Sequence, residues 1–366
     1  MLGVYIHIPF CQRKCSYCAF SSFVREEAEQ EKYICSLIQE IEDFAKQHGK
    51  REIDSIYIGG GTPSLLPEKL IEKIVEALKS SFIWTNNLEF SIESNPNSLT
   101  EEKLQKYKEI GINRISIGVQ SLENEKLKTI GRLHTKEDAI EKIKLAGKYF
   151  HNINVDMLIG LPQMNLECFL QQIEFLASLK ITHISAYMLQ IEDETLLQKM
   201  AQDKEIFLPE DDDSVEAYEK MAKLLKKLGF ERYEVSNFAK EGYECKHNFK
   251  YWTGEEYIGF GLSSHSFFNG IRTANEKTFE DYYKRKPTFS EKLSIAQQIE
   301  EHIMLGLRCK NGVSKQFLKR RGYDITQNEN LKEYIAKEIV REKDDKLFLN
   351  PEYYGVNNYI IVHLLP

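Results

Sequence analysis

Three cysteines, Cys11, Cys15 and Cys18, fall within eight residues in the run Pro9-Phe10-Cys11-Gln12-Arg13-Lys14-Cys15-Ser16-Tyr17-Cys18, and no fourth follows closely. Thiolates select zinc or an iron–sulfur cluster among the common metals. A cubane of four irons is normally held by four thiolates, so a loop of three leaves one iron free to bind something else. A structural zinc site asks instead for four ligands, usually as two separated pairs. No second cysteine pair exists, and Cys245-Lys246-His247 is the one other stretch that could close such a site.

Other residues could do chemistry with that loop. Gly59-Gly60-Gly61-Thr62-Pro63 lacks side chains where a backbone could approach a ligand closely. Alone it reads as a tight turn, and it has neither the lysine of a phosphate-binding loop nor a dinucleotide fingerprint. Glu93, Gln120, Arg132 and Asp156 lie at or near the ends of apolar runs. Singly each reads as a capping or solvent-facing residue. Together they offer an arginine fork for a carboxylate and carboxylates that accept hydroxyls.

Such groups need a scaffold that delivers them to one place. The first two-thirds of the chain alternates short β-rich runs with amphipathic stretches, the pattern of parallel strands joined by crossover helices. Strands are expected at Val4–Ile8, Ser55–Ile58, Leu88–Glu93, Arg114–Gln120, Ile153–Ile159 and His183–Leu189, and helices at Glu26–Gln47, Glu68–Ser80, Glu101–Glu109, Lys136–Tyr149 and Cys168–Leu179. Six such units predict an α/β fold, an incomplete (β/α)6 TIM-like barrel, with its chemistry in the loops after the strands. The cysteines follow the first strand, the glycines the second, and Glu93 and Gln120 end the third and fourth.

Beyond the acidic helix start Glu210-Asp211-Asp212-Asp213 comes a helix, Asp213–Leu228, and then an irregular aromatic stretch, Tyr233–Phe268. Helices at Ile295–Leu307, Lys315–Arg321 and Leu331–Arg341 and a strand at Lys346–Leu349 predict a small, mainly helical, winged-helix-like domain. The expected division is residues 1–230 for the barrel, 231–290 for a connecting segment and 291–366 for the last domain.

Composition narrows the function. The 366 residues carry a formal net charge of −7 with 42% hydrophobic residues, which argues against a general nucleic-acid binder, since that needs clustered cations. No apolar run is long enough to span a bilayer, and a strand-like segment begins almost at once, where a signal peptide would lie. The cytoplasm is the expected location. Seven cysteines, three of them together, do not read as a disulfide framework.

The Cys-x3-Cys-x2-Cys run, with Tyr17 before its last cysteine, resembles the cluster loop of the radical S-adenosylmethionine superfamily. The resemblance implies that Cys11, Cys15 and Cys18 hold a 4Fe-4S cluster whose open iron chelates the amino and carboxylate groups of S-adenosylmethionine. Ser91-Ile92-Glu93, Gly118-Val119-Gln120-Ser121, Gly131-Arg132-Leu133-His134 and Asn154-Val155-Asp156 resemble binding positions of the coproporphyrinogen-oxidase-like branch. It thus implies contacts to S-adenosylmethionine by Tyr5, Tyr17, Gly60, Gly61, Thr62, Glu93, Gln120, Arg132 and Asp156.

Two relatives within that branch compete: the oxygen-independent coproporphyrinogen III dehydrogenase and the HemW family of heme chaperones. The dehydrogenase carries a further cysteine two positions after the third, where this chain has Phe20. It also has an arm ahead of the cluster strand, whereas this chain begins only four residues before Tyr5. Finally, His247-Asn248-Phe249-Lys250-Tyr251-Trp252 is similar to the His-Asn-x-x-Tyr-Trp signature of the chaperones. Imidazole is a common heme ligand, so His247 is the expected heme contact; the plainer reading is a hydrogen-bonded histidine among packed aromatics. His265 is a second, weaker candidate. The resemblance further implies an acceptor hemoprotein, membrane-associated and of the respiratory chain. One departure is local: Gly160-Leu161-Pro162-Gln163-Met164-Asn165 has methionine where the family often has glutamine, although Asn165 can still cap the next helix.

Overall fold

The computed structural model describes residues 1–285 and 289–366. Its strands are β1 (Leu2–Ile8), β2 (Arg51–Gly60), β3 (Phe82–Ser94), β4 (Arg114–Gln120), β5 (Asn152–Ile159), β6 (His183–Met188), β7 (Glu231–Arg232), β8 (Asn237–Ala239), β9 (Tyr257–Phe260), β10 (His265–Phe268), β11 (Ile271–Ala274), β12 (Phe289–Lys292), β13 (Val313–Ser314), β14 (Val340–Lys343) and β15 (Lys346–Leu349). The helices are α1 (Glu27–His48), α2 (Glu68–Ser81), α3 (Glu101–Glu109), α4 (Asn124–Thr129), α5 (Lys136–Ala146), α6 (Leu166–Ser178), α7 (Leu196–Gln202), α8 (Asp211–Lys227), α9 (Lys246–Thr253), α10 (Phe279–Tyr283), α11 (Ile295–Gly306), α12 (Lys315–Arg320), α13 (Glu329–Ala336) and α14 (Asn357–Val362).

The six expected strands form and pair in parallel in chain order, β1 to β6. The barrel is incomplete. The free edge of β1 takes β9 in parallel, and that of β6 takes β8 antiparallel. Antiparallel strands β10, β11 and β12 then extend the β9 side. Toward the carboxyl terminus, helices α11 to α14 accompany a three-stranded antiparallel sheet, β13-β15-β14.

Alternation within the parallel strands explains why this scaffold serves a polar site. Val4, Ile6 and Ile8 of β1, Phe90 and Ile92 of β3, Ile115 and Ile117 of β4, and Val155 of β5 have no exposure and join the main apolar core. Their neighbours, on the opposite face by the strand's two-residue period, are Tyr5, His7, Ser55, Tyr57, Glu89, Ser91, Glu93, Arg114, Ser116, Asn154 and Asp156. Buried polar groups must find partners. These largely find one another. Asn154 Nδ2 donates to Ser116 Oγ (2.8 Å) and Asp156 Oδ1 (2.7 Å), while Asn154 Oδ1 accepts from Ser185 Oγ (3.1 Å).

Two local expectations are corrected. The helix expected at Leu331–Arg341 ends at Ala336, and Val340 and Arg341 enter β14, which pairs antiparallel with β15. Asp344, at φ 54°, turns that hairpin. The stretch expected to be irregular, Tyr233–Phe268, contains β8, α9, β9 and β10. Each is too short for its periodicity to register in sequence.

Candidate functional site

The chain turns of β1 to β6 converge at one mouth. A cavity of about 430 Å³ there is lined by Cys11, Cys15, Tyr17, Cys18, Gly60, Gly61, Thr62, Glu93, Gln120, Arg132 and Asp156. The cysteine loop is held by backbone contacts with neighbouring segments. Cys11 N donates to Phe23 O (3.0 Å), Ser16 N to Ile130 O (3.1 Å) and Thr62 N to Phe10 O (2.8 Å). A Cβ at Gly61 would stand 2.7 Å from the Phe10 carbonyl oxygen and 3.0 Å from Cys11 Sγ. Glycine is therefore what lets the second strand's end pass beside the first cysteine.

All three thiols are free and only partly buried. Burial pushes those of Cys11 and Cys18 up from their ordinary values. Arg132 Nη1 donates to Cys15 Sγ (3.6 Å), and its Nη2 to the Gly118 carbonyl and to Asn95 Oδ1. Its buried Nε has no partner among the described residues. Among the described residues no group of three His, Cys, Asp or Glu is arranged around a point that could hold a single metal ion. Instead the loop's thiols face a shared space. That donor set and the glycine cradle fit a bulky thiolate-bound cluster beside a small anionic ligand.

Glu93 Oε1 accepts from the Tyr57 hydroxyl (2.9 Å), and Oε2 from Gly60 N (3.0 Å). Burial, with Asp156 nearby, pushes its carboxyl up to about 7. Burial also raises Asp156. Gln120 adopts φ 68°, a left-handed conformation unusual outside glycine, at the cavity wall.

Raised carboxyl pKa values carry a sign. From about pH 4.5 to about pH 7 folded Glu93 holds a proton that the unfolded chain has released, so stability falls as pH rises through that window, by up to roughly 3 kcal/mol. Glu93→Gln is expected to flatten this dependence and to raise the urea midpoint of the cluster-free protein at pH 8 relative to the parent. A variant with the parent's pH profile would contradict the burial argument.

Two expected residues stand apart from the cavity lining. The Tyr5 hydroxyl bonds His7 Nδ1 (3.0 Å), and its ring stacks with those of Tyr57 and His247. His247 is fully buried on α9; its Nδ1 bonds Ser55 Oγ (3.0 Å) and its Nε2 the Tyr251 hydroxyl (2.8 Å). Burial, with Lys250 nearby, lowers its pKa to about 3. Both ring nitrogens are thus engaged within a packed aromatic group. Cys245, considered with His247 for zinc, donates its thiol to Glu89 Oε1 (3.4 Å). His265 is exposed on β10.

Sequence reasoning missed Asn95, whose side chain bridges Thr62 Oγ1 (2.9 Å) and Arg132. Its signal was the Asn95-Pro96 turn immediately after the third strand. Tyr57 and Tyr187 also line the cavity.

Residues 5–176 match the Radical SAM superfamily. The chain is 34% identical to the heme chaperone HemW of Bacillus subtilis over 95% of each chain. It is also 34% identical to that of Lactococcus lactis, covering 99% of this chain and 97% of the relative. The chain belongs to the HemW family. Its fold is that of coproporphyrinogen III oxidase, HemN, from Escherichia coli, a radical SAM enzyme, with a TM-score of 0.85 at 21% identity, covering 100% of this chain and 90% of that one. This HemW member therefore shares an architecture with an enzyme of different name. Phe20, 69% exposed, lines the cavity beside the cysteine loop.

Proposed function

We propose that this HemW-family protein is a heme chaperone: it binds a 4Fe-4S cluster, S-adenosylmethionine and heme, and passes heme to an acceptor hemoprotein, a membrane-associated component of the respiratory chain. The observation that carries the reading is the family membership over nearly the whole chain, combined with Phe20 where the dehydrogenase has its extra cysteine. We place the protein in the cytoplasm; no described helix is long and apolar enough to cross a membrane.

In this reading Cys11, Cys15 and Cys18 hold the cluster. When bound, such a cluster would supply an electron to the sulfonium of S-adenosylmethionine. Arg132, already crosslinking Asn95, Gly118 and Cys15, offers its guanidinium to the ligand's carboxylate. Gly60 and Gly61 bring backbone to the amino group, Asp156 accepts ribose hydroxyls, and Tyr17, Thr62, Glu93 and Gln120 complete the enclosure. Tyr5 acts from beneath, through the aromatic stack. Heme contact at His247 requires the ring to give up Ser55 or Tyr251, so loading by this route includes a local rearrangement.

The competing reading is an oxygen-independent coproporphyrinogen III dehydrogenase, which the shared HemN fold keeps in play. Anaerobic incubation with S-adenosylmethionine and coproporphyrinogen III, beside a heme-transfer assay to an apo-hemoprotein, separates them. Heme transfer without protoporphyrinogen formation is expected.

A further inference from the structure

A second and larger cavity, about 580 Å³, lies between α9, the β9 to β11 ribbon, and helices α11 and α12. It is separate from the cysteine mouth and shares no lining residue with it. Its wall on α9 includes Tyr251 and Trp252. Tyr251 is the residue whose hydroxyl holds His247 Nε2, and its ring meets Tyr257 edge-on with centroids 4.6 Å apart. Opposite lies a preformed stack: the His302 ring sits on Phe317 at 4.0 Å, and the Arg321 guanidinium covers Phe317 at 3.6 Å.

About half of the lining is polar, and most of it is already paired: Glu255 with Lys250 (2.9 Å) and Thr253 (3.0 Å), and Glu256 with Asn269 N (2.7 Å). Ser314 N donates to His302 Nε2 (2.9 Å), which leaves the proton of the neutral ring on Nδ1, a nitrogen without a partner among the described residues. Burial, with Arg321 nearby, lowers this ring's pKa to about 4 and keeps it neutral. His302 therefore acts here as a donor, not as a metal ligand. Arg272 is committed to Glu301 through two hydrogen bonds (2.7 and 2.9 Å). Arg321 uses Nε on Gln298 (2.9 Å) and keeps Nη2 free among the described residues. Met304 adds a thioether, a ligand type that heme iron takes.

Flat aromatic walls, one available guanidinium, a neutral N–H donor and a soft sulfur suit a planar macrocycle bearing carboxylates. We propose that this cavity is the tetrapyrrole site, with Tyr251 and Trp252 as one wall, the Arg321–Phe317–His302 stack as the other, and Arg321 receiving a propionate. The inference rests on the heme reading above and locates it. His247 then reaches the porphyrin only through Tyr251, as a positioning residue behind the wall.

The test is hemin titration of the full-length parent, of Met304→Trp, which fills the cavity, and of Arg321→Glu, which reverses the anchoring charge at its rim. Both variants are expected to bind hemin about tenfold or more weakly, with unchanged iron–sulfur content and circular dichroism. Should Met304→Trp fail to fold, Arg321→Glu carries the test. Parent-like hemin affinity in the folded variants would overturn the site while leaving the heme reading intact. No hemin binding by the parent would overturn both.

Discussion

Cys15→Ser is expected to reduce the iron and acid-labile sulfide of anaerobically reconstituted protein to background while the circular dichroism spectrum stays that of the parent. A cubane held by three thiolates has none to spare. The fold does not depend on this side chain: Cys15 is partly exposed, and the surrounding loop is pinned by backbone bonds from Cys11 N, Ser16 N and Thr62 N. Cys35→Ser and Cys168→Ser, at exposed positions on α1 and α6, are the controls and should retain parental iron and sulfide. Stoichiometric zinc without sulfide in the parent would restore the zinc reading.

Glu89→Ala is expected to destabilise the protein by about 3–5 kcal/mol, the range for stranding a buried charge, seen as a lower urea midpoint. Glu89 is 5% exposed. Its two oxygens accept from Lys246 N (2.9 Å) and His247 N (3.0 Å), and from the Cys245 thiol. The start of α9 has no side-chain cap of its own, so this carboxylate from β3 satisfies donors that a helix end otherwise leaves orphaned. It also faces Arg114, 1% exposed, whose Nε and Nη1 have no partner among the described residues. Glu89→Gln, which keeps one acceptor oxygen but not the other or the charge, should fall between parent and alanine. A change in Glu89→Ala under about 1 kcal/mol, the scale of an ordinary surface substitution, would contradict this role.

Glu89 also shows why part of the molecule was hard to read from sequence. The parallel strands were readable because their apolar positions alternate with polar ones and because turn residues follow each. The cysteine mouth was readable for the same reason: most of its residues lie at strand ends, where a barrel puts chemistry. Helix α9 begins without a capping residue near it in sequence, and its cap comes from position 89. The strands β9 to β11 have four residues each and owe their existence to pairing with β1 and with one another. Asn95, which ties Thr62 to Arg132, looked like turn chemistry alone.

His247 illustrates the limit of motif reading most clearly. The motif's spacing marked the residue, but the two hydrogen bonds that occupy its ring come from Ser55 on β2 and from Tyr251 one helical turn away. The Ser55 bond cannot be inferred from the motif, and the Tyr251 bond follows from its spacing only once the stretch is helical, where positions i and i+4 share a face. Nor could the cavity beyond Tyr251 be seen, since its other wall comes from α11 and α12.

The shared HemN fold makes one measurement decisive for the proposed function. Anaerobically reconstituted protein, with S-adenosylmethionine and a reductant, is given coproporphyrinogen III in one reaction; in the other, hemin-loaded protein is given an apo-hemoprotein. The chaperone reading expects heme to appear in the acceptor and no protoporphyrinogen to form. Protoporphyrinogen formation in the first reaction, with no heme transfer in the second, would contradict it.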